Sequence, residues 1–109
     1  MTLFSAILGH LGLSQPDAAN YLDVRLDTIK SWCSGRRTPA IGAVDKLYKL
    51  AERIETAADH AVGLWLEQGE PDHIDFRVDP GWPSKRCRLA VAAALWAALP
   101  NDITIRIVE

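Results

Sequence analysis

The sequence predicts an α+β fold, mainly α, with a helical bundle in its first half and a small strand–helix–strand unit at its end. Three observations predict it. From residue 3 to about residue 68, apolar side chains recur every three or four positions, the period of amphipathic helices. After Pro71 the period drops to two, in "HIDFRV" and again in "DITIRIVE", as in half-buried strands. Between these runs, "SKRCRLAVAAALWAAL" returns to the helical period. With 109 residues, 49% of them hydrophobic, the chain suits one compact unit or two very small ones sharing a core.

In chain order, "TLFSAILGHLGL" places Phe4, Ile7, Leu8 and Leu11 on one helical face, with Thr2 as cap and Gly12 as stop. Ser14 is a good N-cap and Pro16 suits the first turn of a second helix, which continues through Ala18, Ala19 and Leu22. Asp23 and Val24 leave only a very short turn. Aspartate is one of the few residues other than glycine that tolerates a left-handed backbone there. A third helix begins near Leu26, with Ile29 and Trp32 facing inward, and Gly35 ends it. Pro39 is expected to start the next helical stretch. Ile41, Val44, Leu47, Leu50, Ile54, Ala58, Ala61 and Trp65 then read as one long helix, or as two with a bend near Ala57.

In the last third, Ile74, Phe76 and Val78 are expected on one face of a strand, and His73, Asp75 and Arg77 on the other. "DPGWP" reads as a turn. The helix capped by Ser84 is expected to turn Leu89, Ala92, Ala93, Trp96 and Leu99 inward, and Ile103, Ile105 and Ile107 should share a face of a second strand. Two strands leave both edges of a sheet open, and pairing with a second copy is the natural remedy. The dimer interface is therefore expected at Phe76, Trp82, Leu89, Trp96, Ile103, Ile105 and Ile107.

The net charge is −2, but it is unevenly distributed. Residues 25–53 carry seven Lys/Arg against three acids, a local +4; the remainder carries five basic and eleven acidic residues, −6. A basic segment in an acidic chain is the footprint of a polyanion partner, or else an ordinary solvated helical face.

That segment contains "QPDAANYL", "DVR" and "LDTIKSWC", two helices joined by a tight turn, which is a helix-turn-helix. Ala19 is small where the helices must touch, Val24 plugs the turn, and Ile29 and Trp32 face the bundle. Leu26, Asp27, Thr28 and Ser31 remain on the outer face of the second helix, where base edges in a DNA major groove would be met.

Residues 3 to about 55 resemble the helix-turn-helix domains of the Cro/lambda-repressor, or XRE-like, family. The resemblance rests on "LGLSQ", Ala19, Leu22, Val24, "TIKSW" and "GRRTP". It implies five short helices, binding to double-stranded DNA as a dimer, and transcriptional regulation. Gln15 matches the family glutamine that holds a phosphate, and Arg36 and Arg37 match its backbone-contacting basic pair. Arg25 replaces the usual Ser/Thr cap before the recognition helix, which leaves a weaker cap or one moved to Asp27. Cys33 stands where the family commonly has a glutamate, and Leu8 where its basic partner would be. The end of the chain, "GWPSKRCRLAVAAALWAAL", is similar to the dimerising half of anti-CRISPR-associated autorepressors.

The expected division is residues 1–56 as a helix-turn-helix bundle of about five helices and residues 57–109 as the end of the long helix plus the strand–helix–strand dimerisation unit. Base readout is assigned to Leu26, Asp27, Thr28 and Ser31. Asp27 either accepts a hydrogen bond from cytosine N4 or simply complements the helix dipole. Leu26 meets a thymine methyl or is merely exposed. Backbone contact is assigned to Gln15, Arg25, Lys30, Arg36, Arg37 and Lys46, the two lysines being open to a plain solvated role. His10, His60 and His73 are scattered and form no metal-ligand motif, and no catalytic triad or paired acids are ordered. No cofactor and no enzymatic activity are expected.

Cys33 and Cys87 form no CxxC pair and read as reduced, buried thiols. With no export signal and no apolar run long enough to span a bilayer, the expected location is cytoplasmic. The expected function is a homodimeric repressor on an inverted-repeat operator. The rivals are an antitoxin whose C-terminal half grips a toxin, and a protein-interaction module that keeps the shape without binding DNA; the identity of any protein partner stays open.

Overall fold

The computed structural model describes residues 2–77 and 81–108 and bears out the mainly helical α+β class. Three short helices, α1 (Leu3–Leu11), α2 (Gln15–Leu22) and α3 (Leu26–Ser34), precede α4 (Ile41–Glu67), a helix of 27 residues. Then come β1 (His73–Arg77), α5 (Lys85–Ala98) and β2 (Thr104–Val108). The first four helices belong to or begin in the bundle, and α5 crosses between the strands. Val78 and the first two residues of the "DPGWP" turn lie outside the described residues, as does the side chain of Arg77.

The local chemistry explains why the short helices start and stop where they do. Thr2 and Ser14 each accept a hydrogen bond from the backbone three residues on, while Ser5 and Asp17 bond back to the cap residue, giving two capping boxes. Helices α1 to α4 all end alike. Leu13, Val24, Arg36 and Glu70 donate N–H bonds to the carbonyls of Leu8, Ala19, Ser31 and Trp65, five residues back, at 2.8–3.1 Å. The left-handed residues these turns require are Gly12, Asp23, Gly35 and Gly69, with Asp23 at φ 54°.

The helix α4 starts at Ile41, two residues later than Pro39 suggests, because Ala40 takes the cap position. It is unbroken through Ala57, and Gly42 and Gly63 do not interrupt it, since its inner stripe of Leu47, Leu50, Ile54, Ala58 and Trp65 is buried from the second turn onward; Ile41, expected on that stripe, is exposed. The larger core joins α1, α2, α3, the first half of α4 and the start of α5, around Leu11, Ile29, Leu50, Cys87 and Val91. A second core joins Ala58, Trp65, Leu95 and Leu99 to Ile74, Phe76, Ile103 and Ile105 of the strand segments. One helix therefore serves both cores, and the molecule measures 50 × 23 × 19 Å.

The strands pair parallel and within one chain, His73 opposite Thr104 and Phe76 opposite Ile107. Their outer face is polar, with Arg106 paired to Asp75 at 2.9 Å.

The inward face of α5 differs from the expected one. Cys87, Val91 and Leu95 are fully buried and Leu99 nearly so, whereas Leu89 and Trp96 point away from the core. The sequence LAVAAALWAA has small residues on every side, so the packing partner chose the face: the stripe that meets α4 and the sheet is the one carrying Cys87 and Val91. The bundle and the C-terminal unit are tied at more than one place: Arg53 donates to the carbonyl of Gly81 at 3.2 Å, and the start of α5 is fastened to the end of α1. Ser84 Oγ donates to the carbonyl of Gly12 at 2.6 Å, and an added Cβ on Gly12 would lie 2.5 Å from the backbone of Arg86.

Candidate nucleic-acid interface

Helices α2 and α3 pack through Ala18, Ala19 and Ile29, all buried, with the half-buried Val24 closing the turn. Trp32 meets Phe4 edge to face, with ring centroids 5.5 Å apart. These contacts fix the roll of α3 about its axis and so determine which side chains face out. Leu26 and Asp27 are exposed, Thr28 and Ser31 lie at or near the surface, and Lys30 is exposed. The four residues expected to read bases thus lie together on the free side and first two turns of α3.

The N-terminus of α3 carries no side-chain cap from Arg25, and Asp27 does not supply one. Its first-turn N–H groups face an exposed end, the electropositive end of the helix, with Asp27 in the same turn. At the other end, the N–H groups of Arg36 and Arg37 both donate to the carbonyl of Ser31, at 3.0 and 3.3 Å. That tight reversal brings both exposed arginines to the last turn of α3. Arg36 Nε also reaches Ser34 Oγ at 3.5 Å. Cationic side chains therefore stand before, along and after the outward face.

Gln15 and Lys46 are placed differently. Lys46 Nζ donates to the carbonyl of Tyr21 at 2.6 Å and sits 4.6 Å from the centre of its ring, so it ties α4 to the end of α2. The half-buried Gln15, at the start of α2, has its side chain close to the Cys33 thiol at the end of α3. Burial nonetheless pushes the Cys33 thiol above its ordinary value, the Gln15 side chain opposing it. Cys33 packs on the core that contains Leu8, and its carbonyl accepts from Thr2 Oγ1 at 2.8 Å. The supporting roles of Thr2 and Tyr21 escape sequence reasoning. Each acts through one long-range hydrogen bond, which leaves no periodic signal.

Among the dimer residues expected from sequence, Phe76, Trp82, Ile103 and Ile105 pack within the chain, Trp82 under the guanidinium of Arg53 at 4.1 Å. Leu89, Trp96 and Ile107 are open to solvent. A second open apolar group, Leu3, Ile41 and Tyr48, lies on the bundle, Tyr48 beside a groove between α1 and α4 of about 290 Å³. Among the described residues no three His, Cys, Asp or Glu side chains gather as a metal site, and no helix is long and apolar enough to cross a membrane. Compared with known proteins, the chain matches no family model, and no curated protein is significantly similar to it.

Proposed function

We propose that the chain is a sequence-specific DNA-binding regulator of the Cro/lambda-repressor type, cytoplasmic, and acting as a homodimeric repressor on an inverted repeat. The observation that supports this best is the outward face of α3: an exposed polar surface held by a buried α2–α3 contact and flanked by Arg25, Lys30, Arg36 and Arg37. A helix so mounted fits a major groove, and cations at its ends meet the phosphates on either side. In this reading Leu26, Asp27, Thr28 and Ser31 read bases, and the arginines set the register. Two copies would occupy grooves about 34 Å apart, and repression follows from blocking polymerase. Gln15 and Lys46, engaged within the fold, serve by stiffening the reading unit, and any phosphate contact they make is additional.

The decisive experiment is selection of bound sequences from random DNA. A two-fold symmetric site with half-sites one helical turn apart is the expected result. Recovery of no enriched sequence at low salt would sink the proposal. The open Leu89, Trp96 and Ile107 favour, as a second reading, an antitoxin whose C-terminal half also holds a protein partner; co-purification of a neighbouring gene product would distinguish it.

A further inference from the structure

Of the five cations outside residues 25–53, three stand together. Residues 81–99 carry Lys85, Arg86 and Arg88 and no Asp or Glu. Lys85 and Arg86 open α5, where the helix dipole favours acids and opposes cations. Both side chains are exposed, so packing does not hold them there. Among the described residues neither forms an ion pair. The local structure of α5 therefore gives no reason for this pair.

The tertiary fold places the pair at the corner between α1 and α2. Ser84 Oγ donates to the carbonyl of Gly12, and the backbone of Arg86 lies too close to that glycine for a Cβ. Arg86 shares a shallow cleft with Gly9, His10 and Gly12. Arg88 lies about 200° further round the helix, on the other side of the buried Cys87, and so faces away from that cleft. Gly12 precedes Gln15 by three residues, which span at most about 11 Å. Gln15 in turn lies against Cys33 in the last turn of α3. The corner has no cation of its own. Residues 1–24 hold no Lys or Arg, and they hold two acids, Asp17 and Asp23.

We infer that Lys85 and Arg86 are a second DNA-backbone contact, supplied by the C-terminal unit to the α1–α2 corner of the reading unit. The inference rests on the DNA-binding reading above. With α3 in a major groove, Arg36 and Arg37 at its last turn meet one strand of phosphates. The start of α2 lies against that same turn, so the strand continues past the corner where α5 begins. Phosphates there would face Asp17 and no bundle cation; Lys85 and Arg86 reverse that sign. The two cationic pairs do not duplicate one another. Gly35, next to Arg36, adjoins Thr2 at the start of α1, and Arg86 adjoins Gly12 at its end. About 13 Å of helix separates those two points, so each pair meets its own phosphates.

The test is a salt series of gel shifts with the full chain on the DNA site it selects. In the double variant Lys85→Ala, Arg86→Ala the slope of log affinity against log salt should fall by about two. The selected sequence should stay the same, because phosphates carry no base information. The melting temperature should hold or rise, since two cations leave the positive end of a helix. The conservative pair Lys85→Arg, Arg86→Lys should keep the wild-type slope, and so should Arg88→Ala, which removes a cation from the far side of α5. A double variant that binds with the wild-type slope would overturn the inference and leave the pair to an acidic protein partner. An equal loss of slope in Arg88→Ala would overturn it too, by showing an effect of net charge alone. A lower melting temperature with the slope unchanged would make the pair structural. A wild type that binds no DNA at low salt would refute the functional proposal and this inference with it, whereas the other adverse results leave that proposal standing.

Discussion

Replacing Gly12 by alanine tests how the two units are joined. Gly12 has φ 77°, and its ideal Cβ would fall 2.5 Å from both C and O of Arg86 and 2.7 Å from the N of Cys87. All three atoms belong to the backbone of α5, so no side chain can swing aside. The conformational cost of a left-handed alanine is about 1–2 kcal/mol, and relieving an overpacked contact adds about 1–3 kcal/mol. The sum is about 3 kcal/mol, a large share of the total stability of a domain this small. Gly35→Ala is the control. Its φ is 82°, but its Cβ would meet only Thr2 Cγ2, at an ordinary 3.5 Å. It should therefore cost the conformational part alone, about 1–2 kcal/mol. Chemical denaturation of both variants measures the difference. Equal losses would refute the reasoning, because they would show that α5 does not press on the end of α1 as described.

A Cβ added to Gly63 would have nothing within 4 Å, so Gly63→Ala should stabilise α4 by about 0.5–1 kcal/mol in a thermal melt. Arg36→Ala should weaken binding to all DNA sequences alike and lower the slope of log affinity against log salt by about one; a change in the preferred sequence would point instead to a base contact. Asp27→Ala should relax preference at one base pair of the selected site, and an unaltered profile would remove Asp27 from the readout. Burial raises the Cys87 thiol, with the Arg53 charge opposing it. The folded state thus holds that proton more tightly than the unfolded chain. The associated stability is fully present below the unfolded value, about 8.5, and is lost as pH rises through the folded one. Denaturation between about pH 8 and 10 should show that decline, and Cys87→Ala should flatten it.

What could be read from sequence followed from local rules. Thr2, Ser14, Asp23 and Gly35 act within one turn of chain, and each took its expected place. The inner residues of α2 and α3 were legible because Ala19, Ile29 and Trp32 stand out from polar neighbours. The face of α5 was not, since alanines surround its axis and a small residue fits inside or outside equally well. The engagement of Lys46 with Tyr21, 25 positions away, was hidden for another reason. A lysine in a basic segment looks free until the fold brings a carbonyl to it.

On the proposed DNA-binding function, the continuity of α4 has a consequence for the DNA itself. A helix of 27 residues is a rod about 40 Å long, and it enters both cores without a hinge. If dimers form at the far end of that rod, the separation and relative rotation of the two reading helices are fixed by the protein. Inserting one base pair between half-sites turns one of them by about 34°, and nothing in α4 yields to follow it. The regulator would then measure spacing as strictly as it reads bases, and operators altered only in the length of their unread centre should be rejected.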